Sequence, residues 1–459
     1  MSARLRLSRK TSQGILWASA CTCTFIYFAL DWNRWWAYLT TDDFGLFFQS
    51  MNDPSGLLKN NVEGSHFTNH FSPIYELLAP FVQISHSVVT PIVVQAISGS
   101  IPAVALYNIA RKKLSPGLAL GVSSVALVYP PLAYIMYGDP YETCFAPAVT
   151  VCLFLAITER RWALATLFVA LALSIKEDQA LFLAWDALLF MVWAIRRRDI
   201  PLRNFSLFTL GAASILGLGY VFYLRPMIAG TSHWPALSNA MHSPGCEPIT
   251  ARLISRLLYL NQALLPLAFC PLLAGRALLF VILPFAEVLT APRQLVWSMG
   301  SHYAGVWIGY MLIAWCIGIC NLYTRKIVLV PKVITGAFTL SILSIFFARP
   351  AAVPREIHFR SDAEAQIDAV IASDLPRNVS IGVPDVLYGH LWQNPLVQLG
   401  VSRFPCYALL YDKAHEEGLT RIMQSDISSA VYGQYTMEWE RNGLKLYRRR
   451  GCSPRQSSP

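Results

Sequence analysis

Charge is scarce: only 14% of the 459 residues are Asp, Glu, Lys or Arg, against ~25% in an average soluble domain. With 54% of the chain hydrophobic, that shortage excludes a disordered chain and a simple soluble enzyme. Internal repeats are missing too, which removes the paired halves that inverted-repeat transporters show. No Gly/Ser-rich linker or low-complexity run stands out. The ten cysteines lack metal-type spacing and make no disulfide framework, since Cys21, Cys23, Cys152, Cys270, Cys316 and Cys320 fall in apolar runs where a thiol acts as a small apolar group. Cys144, Cys246, Cys406 and Cys452 remain, and their spacing does not decide which pair would bridge.

What is present is a series of apolar runs with short basic punctuation. They lie near Gly14–Leu30, Pro91–Ala110, Gly117–Tyr137, Thr143–Thr158, Trp162–Ile175, Ala180–Ile195, Phe205–Leu224, Leu257–Ala274, Ala277–Leu289, Tyr303–Leu322 and Ile327–Phe347. A bilayer core takes ~20 apolar residues to cross, so the reading is a polytopic membrane bundle of about eleven helices. The basic excess, 37 against 27, sits in the loops between runs and therefore speaks for topology rather than for a nucleic-acid partner. With the basic N-terminus inside, every strongly basic loop (Arg111–Lys113, Arg160–Arg161, Arg196–Arg203, Arg276, Arg325–Lys332) falls on the cytoplasmic side. The C-terminal region is then outside.

Composition shifts at Arg349–Pro350, so the domains are expected at 1–349, with a long first outer loop at 31–72, and at 350–459. In the tail, Ser361-Asp362-Ala363-Glu364 has the form of a capping box, followed by Ile367, Val370, Ile371 and Leu375 at helical spacing. Arg377–Val383 reads as a strand. Tyr435–Glu440 and Leu444–Tyr447 flank Asn442-Gly443, which favours a two-residue hairpin. The tail is expected to be a small α/β domain with no catalytic motif.

Asp42, Asp43, Asp139, Glu142, Glu177, Asp178 and Glu287 all fall at or near outer helix ends under this topology. In the first outer loop, Asp42-Asp43-Phe44-Gly45-Leu46-Phe47-Phe48-Gln49 is expected to start a short interfacial helix with a Phe-rich face. Its acidic pair either caps the helix or supplies a general base or a cation ligand. His66 and His70 are four apart, which on a helix puts both imidazoles on one face; with Asp42 and Asp43 they are the candidates for a divalent metal ion, against a purely hydrogen-bonding role. Lys176, Glu177 and Asp178 separate two apolar runs and read as a tight turn at a membrane face, with Asp178 capping the following helix or serving a substrate. Asp186 lies about two turns deeper, where a carboxylate is costly and faces a bundle interior or a wet cavity.

Asp43-Phe44-Gly45-Leu46-Phe47-Phe48-Gln49, His70-Phe71-Ser72-Pro73, Asp139-Pro140-Tyr141-Glu142, Lys176-Glu177-Asp178 and His302-Tyr303, in that order, resemble the successive motifs of a bacterial membrane-protein family, domain of unknown function number two thousand and seventy-nine. The chain departs from it at Asp139–Glu142, where an Asp-Phe-His-Pro-Glu type of sequence is expected and the His is missing. The family is similar in layout to GT-C glycosyltransferases: a first helix, a long outer loop opening on an acidic residue, many further helices and an outer soluble domain.

That resemblance implies a glycosyltransferase in the bacterial cytoplasmic membrane, moving a sugar from a polyprenyl-phosphate donor to an acceptor outside the cytoplasm with inversion. It implies a catalytic role for Asp43, with Asp42 beside it. The chemistry also needs a cation for the departing phosphate. Lys176, Arg225 and Arg293 are candidates for it, with Glu177, Asp178, His70, Glu142 and His302 as further substrate-contacting residues and a divalent metal as an alternative cation. Two other readings stand beside this one: a transporter or channel using Asp186 and the outer acids, and a non-catalytic membrane scaffold. The oligomeric state is not legible.

Overall fold

The computed structural model describes residues 7–231, 249–291, 296–347, 360–376, 379–394, 396–411, 423 and 435–452; Arg293, Cys246 and the expected boundary at Arg349–Pro350 lie outside them. The chain divides into two compact units. One comprises Met1–Ala29, Thr68–Ile74 and Pro91–Arg355, the other Leu30–Phe67, Tyr75–Thr90 and Glu356–Pro459. Most of the first outer loop therefore groups with the tail.

Six helices among the described residues are long and apolar enough to cross a bilayer: Arg9–Trp36, Val89–Ala110, Asp178–Arg197, Ile200–Ala229, Cys270–Thr290 and His302–Thr324. A seventh counts if the pair Pro116–Leu127 and Pro130–Met136, bent by 48°, is one span. The bend falls where Pro130 and Pro131 remove two backbone donors and hold Tyr129 extended. Glu142–Thr158, Trp162–Ile175 and Val330–Phe346 are apolar but shorter, so the expected eleven full spans are not met by length. The run read at Leu257–Ala274 needs correcting, because it is not one helix. The helix Ile249–Leu264 ends there, Ala268 and Phe269 take positive φ of 48° and 55°, and a new helical segment starts at Cys270. Pro266 and Pro271, each lacking an N–H, sit on either side of this break.

The helix Gly305–Thr324 is apolar all round and is the axis of the unit, as such a helix must be. In the span His302–Thr324, 89% of the apolar window is buried, against 17% in Arg9–Trp36. Small residues admit its neighbours. A Cβ on Gly309 would meet the Cβ of Thr150 at 2.8 Å, and one on Gly318 would meet the Cys270 carbonyl oxygen at 2.1 Å. Its tryptophans find polar partners: Trp307 Nε1 donates to the Tyr259 hydroxyl at 2.9 Å, and Trp315 Nε1 to the Val122 carbonyl at 3.3 Å.

The second unit contains a two-residue hairpin, β1 (Lys59–Asn60) with β2 (Gly64–Ser65), and a mixed five-stranded sheet. The sheet is built from β3 (Ile381–Val383), β4 (Val397–Leu399), β5 (Tyr407–Tyr411), β6 (Tyr435–Arg441) and β7 (Leu444–Arg449) in the order β4-β3-β5-β7-β6. β3 is parallel to β4 and β5, and β5, β7 and β6 are antiparallel. Asn442 and Gly443 both take positive φ, 52° and 81°, as a turn matched to strand twist requires. The capping box forms as expected: Ser361 Oγ accepts from the Glu364 amide and the Glu364 carboxylate accepts from the Ser361 amide, opening the helix Asp362–Asp374. Ile367 and Val370 of that helix reach the sheet core. The expected strand is shorter, Ile381–Val383.

The helix Asp42–Asn52 is a second correction. It is not an interfacial helix with a free apolar face, because Phe44, Leu46, Phe47 and Phe48 are all buried. Leu46 joins the sheet core together with Tyr38. Phe48 packs edge-on against Trp392 at 4.7 Å, and Tyr388 donates its hydroxyl proton to Gln49 Oε1 at 2.7 Å. Burial of an aromatic side chain contributes ~1.5–3 kcal/mol, so a Phe-rich face is spent on the domain core when one is within reach. Cys406 and Cys452 form a disulfide.

Candidate functional site

The turn between the helices Trp162–Ile175 and Asp178–Arg197 carries a dense set of ionisable groups. Lys176 is extended, φ −161° and ψ 156°, which breaks the helix and drops its side chain among acids. Its ammonium Nζ lies 3.9 Å from Glu142 Oε1 and 3.9 Å from Asp178 Oδ2, and 5.1 Å from the centre of the Tyr303 ring. Lys176 and Glu142 are 6% and 3% exposed, so both charges are out of bulk water and depend on each other. Burial alone would discharge the lysine, yet Asp178, Glu142 and Glu177 outweigh it and hold its pKa above the usual lysine value.

Glu177 faces a different partner. His70 donates from Nδ1 to Glu177 Oε1 at 2.9 Å, and the Phe71 amide donates to Oε2 at 2.8 Å. Burial raises the Glu177 pKa, but the His70 imidazole, the Lys176 ammonium and the Phe71 amide overcome it and pull the carboxyl down to about 2. The expected capping by Asp178 is not what is built. Glu177 occupies the N-cap position without a side-chain capping bond, and Asp178 is the first helical residue, accepting from Gln179 Nε2 at 3.0 Å.

The Glu142 segment is shaped by His302. Its imidazole stacks on Tyr141 with ring centres 3.7 Å apart, and its backbone carbonyl accepts from Thr143 Oγ1 at 3.0 Å. The motif at Asp139–Glu142 lacks its expected His, but an imidazole from the late helix packs against the same stretch. Arg225 is 2% exposed and donates from Nε to the Thr68 carbonyl at 3.0 Å. Thus His70, Glu142, Lys176, Glu177, Asp178 and His302 come together, and Arg225 holds the stretch just before His70.

A family model described as "Predicted membrane protein (DUF2079)" matches residues 35–359, more than half of the chain. The chain belongs to that family. The matched span contains the cluster residues from His70 to His302–Tyr303, and also Asp42 and Asp43, and stops before the described part of the tail. No curated protein matches the chain. The DUF2079 chain is accordingly a multi-pass membrane protein.

Asp42 and Asp43 of this DUF2079 member lie in the first turn of Asp42–Asn52, where the helix dipole favours negative charge, while Thr41 holds the N-cap position without a side-chain capping bond. His66 and His70 are not on a common helical face. His66 opens a three-residue 3₁₀ turn and its Nδ1 donates to Glu63 Oε2 at 2.9 Å, while His70 lies beyond that turn. Among the described residues no group of three or more His, Cys, Asp or Glu could hold a metal ion. Asp42, Asp43, His66 and His70, the expected metal set, form no such group.

Asp186 is 2% exposed in the helix Asp178–Arg197 and accepts from the Tyr310 hydroxyl at 2.8 Å on Oδ2. Sequence reasoning missed Tyr310 and Glu63 as partners. For Glu63 the three-residue spacing to His66 was a signal, whereas Tyr310 is 124 positions from Asp186 and nothing local announces it.

Proposed function

We propose that this chain is a membrane glycosyltransferase of GT-C type, taking a sugar from a polyprenyl-phosphate donor to a hydroxyl acceptor on the extracytoplasmic side. The observation that carries the reading is the tie between His70 and Glu177. It fastens part of the first loop to the Lys176 turn across 107 residues, beside the buried Lys176–Glu142 pair, so that ionisable groups from four segments share one largely shielded cluster. Shielded, preorganised charge of this kind is what a group-transfer site needs.

In this reading the acceptor oxygen attacks the anomeric carbon, the bond from that carbon to the phosphate oxygen breaks with inversion, and polyprenyl phosphate leaves with the bonding pair. Asp43, with Asp42 beside it, takes the acceptor proton, a step worth ~10²- to 10⁴-fold. Lys176 and Arg225 supply positive charge toward the phosphate. Glu142, Glu177, Asp178, His70 and His302 are positioning residues for them. The orientation has the N-terminus in the cytoplasm and the sheet domain outside, in a bacterial inner membrane. The Cys406–Cys452 disulfide supports this, since such bonds persist in oxidising compartments.

The test is to express the chain and its Asp43→Asn variant in a host lacking it and to compare envelope glycans and polyprenyl-linked sugars by mass spectrometry. The expected result is a glycan gained with the wild type and lost with Asp43→Asn, with the polyprenyl-linked donor accumulating. Identical profiles with and without the wild-type chain reject the reading.

A further inference from the structure

The helices Arg9–Trp36 and Val89–Ala110 flank an apolar groove of about 640 Å³, and the helix Ala146–Thr158 adds Cys152 and Leu155 to its wall. That volume is in the range of ligand pockets, ~300–1,000 Å³. The first helix contributes Trp17, Cys21, Thr24 and Phe28, the second Ile97, Ser100, Val104 and Asn108, each set a single stripe at three- and four-residue spacing. The polar groups among them are satisfied within the protein. Thr24 Oγ1 donates to Ser100 Oγ at 2.8 Å, Ser100 Oγ donates to the Ala20 carbonyl at 3.1 Å, and Asn108 Nδ2 donates to the Val104 carbonyl at 3.0 Å. What remains is a hydrocarbon surface, and it opens outward between two spans whose Trp17 and Phe25 are 58% and 68% exposed.

Both stripes run on into positive charge at the same end. Lys10 lies seven residues before Trp17, and Arg111 and Lys112 lie three and four after Asn108, so helical spacing keeps all three on the groove side. The Thr24–Ser100 bond sets the register of the two helices. At ~1.5 Å per residue, Lys10 is about 21 Å and Arg111 about 17 Å beyond that bond. Leu7 agrees with this level, because its Cδ1 lies 3.7 Å from where a Cβ on Gly117 would stand, just past the Arg111–Lys113 turn. Lys112 reaches across to the third helix, donating to the Thr158 carbonyl at 3.2 Å and pairing with Glu159 at 3.9 Å. Lys10 and Arg111 make no ion pair among the described residues, and Arg111 Nε is buried with no hydrogen-bond partner. From Trp17 to Phe28 the groove runs about 16 Å, the depth of one leaflet in a hydrocarbon core of ~30 Å.

We propose that this groove holds one acyl chain of an anionic glycerophospholipid, with the lipid phosphate at Lys10 and Arg111. The apolar wall and its length select a fatty chain, and the cations at one mouth select a negative headgroup. The lipid fills the gap between the first span and the rest of the bundle and so fixes a helix that the protein itself buries on one side only. It is not the sugar donor. Lys112 rests on Thr158 and Glu159, before the helix Trp162–Ile175, whereas the Lys176 turn follows that helix, about 21 Å farther along. The inference therefore does not rest on the glycosyltransferase reading and uses none of the residues assigned to transfer.

The test uses the full chain, purified in detergent, washed free of lipid and titrated with dioleoyl phosphatidylglycerol or dioleoyl phosphatidylcholine under native mass spectrometry. The expected result is one phosphatidylglycerol per chain, bound about tenfold more tightly than phosphatidylcholine. Cys21→Trp, which fills the groove from an exposed position, weakens both lipids by about tenfold. Lys10→Gln combined with Arg111→Gln removes the preference and leaves phosphatidylcholine binding unchanged. A phosphatidylglycerol with a diazirine in mid-chain is expected to crosslink, on irradiation, to the peptides that carry Cys21 and Ile97. If Cys21→Trp does not fold, Ile97→Trp, also on the exposed wall, takes its place. Equal affinities for the two lipids, binding indifferent to the groove-filling variant, or crosslinks confined to other helices overturn the proposal. A wild-type dimer that the groove-filling variant disperses also overturns it, and assigns the groove to a second copy of the chain.

Discussion

Gly305 lies so close to Thr143 that a Cβ on it would come within 2.2 Å of the Thr143 carbonyl oxygen. Thr143 follows Glu142, and Glu142 is one of the two carboxylates within 3.9 Å of the Lys176 ammonium. The close approach of two segments at this glycine therefore sets the position of a buried charge. Gly305→Ala is expected to force them apart at an overpacking cost of ~1–3 kcal/mol and to loosen the Glu142–Lys176 pair. The measurement is the melting temperature beside the glycan profile, with Gly336→Ala as control, since a Cβ there meets nothing within 4 Å. Equal effects of the two substitutions would show that the contact does not matter.

His390 gives a pH dependence whose sign can be worked out. Its ring is stacked between Trp35 and Tyr38, each 4.0 Å away. Burial drives its pKa down to about 3, against the opposing pull of the Trp35 carbonyl and with help from the Arg360 guanidinium. The unfolded chain takes up a proton near pH 6.5 that the folded chain refuses, so this contribution is complete above 6.5 and is lost as pH falls from 6.5 toward 3. In His390→Phe, which keeps the ring stack without a titratable group, the fall in melting temperature between pH 6.5 and 4 is expected to flatten. An unchanged slope would assign the dependence to other groups.

The disulfide offers a third check, on stability and on sidedness together. Cys406 and Cys452 are 46 residues apart, and closing a loop of that size stabilises the folded state by ~4 kcal/mol in the chain-entropy account. Cys406→Ser is expected to lower the melting temperature of the oxidised protein and leave that of the reduced protein unchanged. In intact cells, after mild reduction, a membrane-impermeant maleimide is expected to label these two cysteines. Labelling that needs the membrane opened would reverse the proposed orientation.

Local chemistry in the tail was readable in advance because it is decided within a few residues: the capping box at Ser361–Glu364 and the Asn442-Gly443 turn depend only on their own backbone and side chains. The helix pair around Lys176 was readable for a similar reason, since a charged tripeptide between two apolar runs admits little else. The destination of the Phe face at residues 44–48 was not, because a bilayer interface and a protein core present the same apolar partner to a phenyl ring. The pairing of His70 with Glu177 lay 107 residues away. Helix breaks at Ala268 and Phe269 were hidden because neither residue type signals a left-handed backbone, although the flanking prolines carried part of the message.

Tyr38 and Leu46 sit in the same apolar core as Leu444 and Leu446, which has a consequence for biosynthesis. These two residues find part of their core only once β7 has been made. Folding of this unit is therefore slow by the measure of sequence separation. A chain truncated before β7 should expose the Phe-rich helix to chaperones and proteases.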